Sequence, residues 1–211
     1  MVYQVKEIYF TLQGEGAQAG RAAVFLRFAG CNLWNGIERD RAQAICRFCD
    51  TDFVGTDGSG GGKFASARDL AAAVARGWPA GTGGNALVVC TGGEPSLQLD
   101  EALIAALHLE GLEIAIETNG TTLLPPGIDW ICVSPKADTY IAQPFGDELK
   151  LVYPQMGVDP SRFEAMSFDH YFLQPMDGPN RAENTELATR YCLEHPRWRL
   201  SLQTHKLIGI P

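Results

Sequence analysis

The segment "ALVVCTGGEPSLQLDEALIAALHLEGLEIAIE", residues 86–117, contains two apolar runs separated by a helical pattern. The first run ends in the polar residues Thr91-Gly92-Gly93-Glu94. Residues 98–111 then carry apolar side chains at helical spacing and end at a glycine, and residues 112–117 form the second run. A strand, a helix and a strand in this order predict two parallel strands joined by a right-handed crossover. The segment therefore indicates an α/β fold.

The same pattern extends in both directions along the chain. Further helical patterns cover residues 66–77, which open with a capping box of Ser66 and Asp69, and residues 181–195. The other apolar or aromatic runs are residues 23–30, 129–133, 148–153, 170–174 and 197–203. The links 118–129 and 134–147 are too short or too rich in proline for full helices.

A closed barrel of eight such units usually needs about 250 residues. With 211 residues, we predict an α/β fold in the form of a partial, open β/α barrel of about six parallel strands. Apolar residues at 45% and charged residues at 20% are ordinary for a globular protein, so we expect one domain over residues 1–211. The polar ends of parallel strands are where such folds keep their chemistry.

Composition also limits the partners. The net charge is −8 and the 17 basic residues are scattered, which argues against a nucleic-acid binder. No apolar stretch approaches the roughly 20 residues of a membrane span, and the N-terminus has no signal-peptide pattern. We therefore expect a cytoplasmic protein with no membrane partner. Thiols stay reduced in that compartment, so a disulfide framework is improbable.

Three cysteines lie in the hydrophilic stretch "AGCNLWNGIERDRAQAICRFCDTD", residues 29–52. Cys31, Cys46 and Cys49 have C-x14-C-x2-C spacing, and the first of them directly follows a predicted strand. A structural zinc ion would need a fourth ligand, and none of the four histidines stands at zinc-finger spacing. An iron–sulfur cluster held by three thiolates would keep one iron open. The spacing favours the cluster, with a zinc site and an unligated loop as alternatives.

Two motifs together resemble the radical S-adenosylmethionine (SAM) superfamily: the three-cysteine loop and "TGGEP" at residues 91–95. Most members have three residues between the first two cysteines, whereas this chain has fourteen. Five further stretches make nearly the whole chain similar to the 7-carboxy-7-deazaguanine synthase family. These are "FTLQGEG" (10–16), "FLRFAGCNLW" (25–34), "CDTDF" (49–53), "ETNGT" (117–121) and "VSPK" (133–136).

The resemblance implies a radical SAM fold with a [4Fe–4S] cluster on Cys31, Cys46 and Cys49, in a cluster-binding loop at residues 31–49. SAM would bind the open iron and yield a 5′-deoxyadenosyl radical. The family reaction abstracts the C6 hydrogen of 6-carboxy-5,6,7,8-tetrahydropterin and gives 7-carboxy-7-deazaguanine with loss of ammonia. SAM acts catalytically, and the enzyme is a lyase of 7-deazapurine (queuosine) biosynthesis. Mg²⁺ is expected at Thr51, although a hydroxyl at that position could equally be a capping group.

Site residues follow by similarity, position by position. The SAM-binding positions are Phe48, Asp50, Gly93, Glu117, Ser134, Pro135, Lys136, Gln174, Pro175, Met176 and Asp177. The substrate-binding positions are Leu12, Gln13, Gly14, Glu15, Arg27, Thr91 and Pro211. Amide and carboxylate groups suit a 2-amino-4-oxo ring. An arginine inside an apolar strand is costly unless paired, and Arg27 could clamp a carboxylate bidentately. Glu94 offers a carboxylate that could accept from an ammonium group.

The resemblance further implies a homodimer and a flavodoxin- or ferredoxin-type electron donor, beside the small-molecule pterin. Two other functions stay open at this point. One is a different radical SAM enzyme, such as an activase that abstracts hydrogen from a glycine of a partner protein. The other is a non-catalytic zinc-binding protein. For Cys90, Cys132 and Cys192, in apolar contexts, we expect core packing.

Overall fold

The structure, a computed structural model, describes residues 2–211. The strands are β1 (Tyr3–Leu12), β2 (Ala22–Phe28), β3 (Gly62–Phe64), β4 (Leu87–Gly92), β5 (Glu113–Thr118), β6 (Trp130–Val133), β7 (Phe145–Tyr153), β8 (Ser167–Pro175) and β9 (Trp198–Leu200). The α-helices are α1 (Ala67–Gly77), α2 (Glu101–Leu109), α3 (Arg181–Glu194) and α4 (Thr204–Ile208). Short 3₁₀ helices cover Glu38–Gln43, Pro95–Leu97 and Pro160–Phe163.

The strands form one open sheet in the order β3-β1-β2-β4-β5-β6-β7-β8-β9. All strands from β2 to β9 in that order pair in parallel, whereas β1 pairs antiparallel with β2 and β3. The predicted α/β architecture with parallel strands is confirmed. The predicted number of about six parallel strands is too low by one, and the additional antiparallel strands were not predicted.

The helices α1, α2 and α3 begin and end within three residues of their predicted bounds, whereas α4 was not predicted. Ser66 caps α1, because its hydroxyl oxygen accepts a hydrogen bond from the backbone N–H of Asp69 at 3.1 Å. Gly111, with φ of +77°, follows the end of α2 in the left-handed conformation that glycine adopts without cost. Within the described chain, no helix lies in the links 118–129 and 134–147, as predicted.

The helices α1, α2 and α3 pack against one face of the sheet. Leu26, Val88, Leu103 and Ile114 are fully or almost fully buried where α1 and α2 meet the first parallel strands. A second apolar cluster lies between α3 and the last strands, around Leu149, Leu151, Leu173 and Trp198. Because successive side chains of a strand point to opposite faces, the other face of the sheet is free for a site.

No helix among residues 2–211 combines the length and the apolar character needed to cross a membrane.

Candidate active site

A cavity of about 370 Å³ lies at the carboxyl ends of the parallel strands. All the site residues predicted from the sequence line it, with one exception. The exception is Pro135, which is buried behind the wall, where its carbonyl oxygen accepts from the side-chain amide of Gln155 at 3.1 Å. The topology therefore brings together residues from almost the full length of the chain.

The three loop cysteines share this cavity as free thiols. Cys46 is buried, and Cys31 and Cys49 are half-buried. Burial raises the pKa of Cys31 and of Cys46. Two features oppose that shift: backbone N–H groups, including that of Leu33, donate to the Cys31 sulfur, and the Lys136 ammonium group attracts a Cys46 thiolate. Such donors favour thiolates, the form in which cysteine binds metals.

The turn after β4 holds the start of the cysteine loop. The backbone N–H of Gly93 donates to the carbonyl oxygen of Phe28 at 3.2 Å, and that of Glu94 donates to the carbonyl oxygen of Gly30 at 2.9 Å. A Cβ atom on Gly93 would overlap the Gly30 carbonyl oxygen, so a side chain at this position would push the loop away. The backbone of this turn therefore lies in close contact with Gly30, the residue before Cys31.

Glu94 does not supply the free carboxylate that the sequence suggested. It is 1% exposed, and it does not line the cavity. Its carboxylate oxygens accept hydrogen bonds from the Thr118 hydroxyl at 2.6 Å, the Asn119 N–H at 2.7 Å and the Ser96 N–H at 3.0 Å. Glu94 therefore ties the end of β4 to the end of β5.

A buried lysine on β7 organises the floor of the cavity. The Lys150 Nζ lies 2.7 Å from a Glu15 oxygen and 2.8 Å from a Glu117 oxygen, and its side chain is 3% exposed. Burial alone would lower the pKa of Lys150, but the surrounding anionic groups raise it well above its usual value. Burial would also raise the pKa of Glu15, but the attraction and hydrogen bond of Lys150 lower it to about 2. The floor is therefore a lysine cation between two carboxylates.

A second polar layer lies beside this floor. The ligand atoms of Glu117, Cys132 and Glu148 lie within 4.8 Å of one another. Burial raises the pKa of Glu148 and raises that of Cys132 well above its usual value, so the thiol is neutral. The backbone N–H of Ala17 donates to Glu148 at 2.7 Å. This layer anchors the "LQGEG" segment to the sheet.

Arg27 is paired within the protein. Its Nε lies 2.7 Å from a Glu7 carboxylate oxygen, and its Nη2 donates to the Tyr9 hydroxyl at 2.7 Å. Its side chain is 16% exposed and lines the cavity. The pairing explains why an arginine is tolerated among the apolar residues of β2.

The C-terminal segment forms another part of the cavity lining. The Thr204 backbone N–H donates to the Gly14 carbonyl oxygen at 3.0 Å, and the Thr11 hydroxyl donates to the Pro211 carbonyl oxygen at 2.8 Å. These contacts place His205 and Pro211 on the cavity. Burial lowers the pKa of His205, which keeps the ring neutral near pH 7.

A lysine of α4 joins two of the predicted SAM positions. The Lys206 Nζ lies 2.5 Å from an Asp50 oxygen and 2.7 Å from an Asp177 oxygen. Sequence reasoning missed Lys150, His205 and Lys206 as cavity residues. The signal for Lys150 was a charge inside an apolar run, and the signal for the other two was their position directly after the last predicted strand.

Thr51 lies on the cavity next to the last cysteine. Residues 46–53 have no regular secondary structure, so Thr51 does not cap a helix. The alternative that this hydroxyl caps a helix is therefore wrong.

Similarity to known proteins covers the entire chain. It is 65% identical over 211 residues to the 7-carboxy-7-deazaguanine synthase of Caulobacter vibrioides, with 100% of both chains covered. It is 64% identical over 214 residues to the protein of that name from Bordetella pertussis, again with full coverage of both. No family model matches the chain.

The fold has a solved counterpart in the crystal structure of QueE from Escherichia coli. That structure aligns with a TM-score of 0.66 and 26% identity, over 96% of this chain and 94% of the other. Relatives this similar over their full length share a family, and the cavity holds the residues from which the resemblance was drawn. The chain belongs to the 7-carboxy-7-deazaguanine synthase family.

Proposed function

We propose that this enzyme converts 6-carboxy-5,6,7,8-tetrahydropterin to 7-carboxy-7-deazaguanine and ammonia, as a radical SAM lyase of 7-deazapurine (queuosine) biosynthesis. One observation carries the proposal: three free cysteines and a polar floor of buried amide and charged groups line the same cavity. The first set suits a metal cluster, and the second suits a polar heterocycle with a carboxylate.

The cysteines fit a [4Fe–4S] cluster better than a zinc ion. Tetrahedral zinc with 2.3 Å bonds would hold its sulfur ligands about 3.8 Å apart. Among residues 2–211, the three loop sulfurs do not form a group within 4.8 Å of one another, whereas Glu117, Cys132 and Glu148 do. In a cubane each cysteine binds a different iron, so the sulfurs stand further apart. The cluster-binding loop at residues 31–49 is therefore the proposed site.

When bound, the cluster and SAM supply a 5′-deoxyadenosyl radical for hydrogen abstraction at C6, and SAM is regenerated. The chain provides the surroundings. Phe48, between two ligands, offers an aromatic face to the cofactor. The Lys136 ammonium group lies 2.8 Å from the Ser134 hydroxyl oxygen, which fixes both side chains at the end of β6. The other proposed SAM positions at this edge are Asp50, Gly93, Gln174, Pro175, Met176 and Asp177.

We propose that the polar floor of the cavity binds the substrate. The Gln13 side-chain amide donates to Glu117 at 3.1 Å, and Lys150 bridges Glu117 to Glu15. These contacts favour Glu117 as a substrate-binding residue, whereas the resemblance gave it as a SAM-binding position. Arg27 and the C-terminal Pro211 would face the substrate carboxylate and ring edge. Leu12, Gly14 and Thr91 complete the proposed substrate positions.

Thr51 is the proposed protein ligand to Mg²⁺, with substrate oxygens and waters completing a hard oxygen shell. We further propose that residues 1–211 form one domain, a partial β/α barrel of the radical SAM type. A homodimer and a flavodoxin- or ferredoxin-type electron donor remain parts of the proposal that rest on the family resemblance. A cytoplasmic location is proposed from the sequence patterns alone.

The rival functions have less support. An activase that acts on a partner protein does not need a polar surface that binds a pterin. The similar proteins are also named 7-carboxy-7-deazaguanine synthases and not activases. A non-catalytic zinc protein would leave the strand-end charges unexplained.

The test uses protein reconstituted anaerobically with iron and sulfide and then reduced. SAM, Mg²⁺ and 6-carboxy-5,6,7,8-tetrahydropterin are added, and conversion is followed by mass spectrometry. We expect a product lighter by one ammonia, with SAM largely unspent. Accumulation of 5′-deoxyadenosine without that product would contradict the substrate assignment. Bound zinc without acid-labile sulfide would contradict the cluster itself.

A further inference from the structure

The fourteen-residue spacer between Cys31 and Cys46 contains an arginine whose guanidinium group is engaged on every side. Arg41 lies in the 3₁₀ helix Glu38–Gln43. Its Nη1 donates to the carbonyl oxygens of Arg47 at 3.1 Å and of Cys49 at 3.0 Å. One nitrogen of the spacer therefore holds two peptide groups of the Cys46–Cys49 segment, one of them belonging to a proposed cluster ligand.

The remaining edge and the face of the same group are fixed by other residues. The Nε donates to both Glu38 carboxylate oxygens at 2.9 Å, and the Nη2 lies 2.8 Å from one of them. The Cζ atom lies 4.0 Å from the centroid of the Trp34 ring, a cation–π contact. Trp34 in turn packs edge-on against the buried ring of Phe53, at 5.6 Å between centroids. Arg41 thus connects the spacer to the Cys46–Cys49 segment and, through Trp34, to Phe53 after that segment.

Few other hydrogen bonds reach the Cys46–Cys49 segment itself, although Lys206 of α4 holds the next residue, Asp50. Residues 46–53 lie outside regular secondary structure, and the 3₁₀ helix contributes no buried residue. The backbone N–H groups of Ile45 and Cys46 both donate to the Leu33 carbonyl oxygen, at 3.1 and 3.3 Å, which fixes the first cysteine of the pair. The contact from Arg41 does the same for the last.

We propose that Arg41 is the positioning residue of the cluster loop: it holds the Cys46–Cys49 segment in the conformation that binds the cluster, and this is a role of the long spacer. The inference deepens the proposed function and rests on its cluster assignment. Hydrogen-bonding partners outside the ligand shell typically change metal affinity roughly 10- to 100-fold when they are removed. The fork of the guanidinium explains why arginine suits this place, because two carbonyls, a carboxylate and a ring are engaged at once.

The test compares Arg41→Ala with the matched control Arg39→Ala on the reconstituted enzyme. Arg39 is in the same 3₁₀ helix and its side chain is 83% exposed. Within residues 2–211 its one ion pair is with its neighbour Asp40, at 3.6 Å. The readouts are iron and sulfide content, the rate of iron release to a ferrous chelator, and the electron paramagnetic resonance spectrum of the reduced cluster with and without SAM. We expect Arg41→Ala to release iron about tenfold faster or more, with an altered spectrum, while Arg39→Ala matches the wild type.

The inference is overturned if Arg41→Ala releases iron at the wild-type rate and gives the wild-type spectrum. If this variant fails to fold, Arg41→Gln decides, because it keeps one donor and loses the fork and the charge. It must also release iron faster than the wild type, and an unchanged rate overturns the inference equally. A wild-type protein that takes up no iron–sulfur cluster would instead contradict the proposed function, so the two failures are distinguishable.

Discussion

The two walls of the cavity are positioned by different interactions. The strand wall consists of Glu117 on β5 and Lys150 on β7, and sheet register together with a buried ion pair fixes these side chains. The loop wall, residues 29–54, has only a short 3₁₀ helix as regular structure. It is held by a few buried side chains, by ion pairs and by side-chain hydrogen bonds to backbone carbonyls. We therefore expect the strand wall to form in the chain alone and the loop wall to depend on the group it binds.

The largest effect is expected in the loop wall. Cys49→Ala should abolish both the visible absorption of the cluster and turnover, because two thiolates cannot hold a cubane in place of three. Cys192→Ala is the matched control: this half-buried cysteine of α3 lies outside the cavity. Anaerobic reconstitution, absorption spectra and product formation measure the effect. Turnover by the Cys49 variant would break the ligand assignment.

Lys150→Met tests the strand wall. Removing one partner of a buried ion pair typically costs about 3–5 kcal/mol of unfolding free energy, because the remaining charges stay buried without compensation. Here two carboxylates, Glu15 and Glu117, would lose their shared cation. The control is Lys63→Met on the exposed edge strand β3, where we expect a change within about 0.5 kcal/mol.

Denaturant unfolding of the apo-proteins measures both variants. Equal midpoints for the two would show that the lysine at the floor does not stabilise the strand wall. The apo-protein is the informative state, since the strand wall is expected to be formed without a cluster.

The sequence predicted the strands of the strand wall better than the contacts between its side chains. Apolar runs and the capping residue Ser66 located the parallel strands and α1, because burial and capping are local signals. The antiparallel β1 was missed because its burial alternates only over Tyr3–Val5, and a register shift between Val5 and Glu7 interrupts the period of two. The three-residue β3 is too short to leave a pattern.

The family resemblance identified site residues that local sequence patterns could not identify. Nearly all of them line one cavity, but their partners depend on tertiary structure. Nothing in "ELKLVY" shows that Lys150 meets Glu15, which lies on a segment more than 100 residues earlier in the chain. The role suggested for Glu94 was wrong for the same reason: its partner Thr118 comes from the next strand.

Arg27→Lys should reduce catalysis less than the loss of a cluster ligand. Lysine keeps a positive charge for Glu7 but removes the planar fork, so the bond to Tyr9 and the proposed contact to the substrate carboxylate are lost. Losing one hydrogen bond to a charged group costs about 1.5–3 kcal/mol, or roughly 10- to 100-fold in kcat/KM. The cluster spectrum should stay unchanged.

The control for this variant is Arg21→Lys. Arg21 also makes a bidentate pair, with Glu113 at 3.0 and 2.8 Å, but neither residue lines the cavity. Steady-state kinetics with the carboxytetrahydropterin should show a lower kcat/KM only for the Arg27 variant. Equal kinetic losses in both would mean that Arg27 acts through the sheet and not on the substrate.

The smallest expected effect is a pH dependence of the unfolding free energy, which should differ between a strand-wall carboxylate and a loop-wall carboxylate. The pKa of Glu15 is lowered to about 2: burial would raise it, but the attraction and hydrogen bond of Lys150 outweigh burial. A carboxylate with a lowered folded-state pKa contributes stability that is fully present above its unfolded-state pKa, about 4.3. That contribution is lost as the pH falls toward the folded-state value. Glu15→Gln removes it at every pH.

The difference in unfolding free energy between wild type and Glu15→Gln should therefore shrink as the pH falls from 5.5 to 3. Glu38→Gln is the loop-wall counterpart, because the Arg41 hydrogen bond lowers the pKa of Glu38 as well. Glu38 is exposed, so its pairing is screened by water, and we expect a much weaker pH dependence there. Urea unfolding of the three apo-proteins at several pH values measures this. If the Glu15 variant and the wild type lose stability in parallel, the charge on Glu15 does not stabilise the strand wall. The contrast with the loop would then lie in backbone order alone.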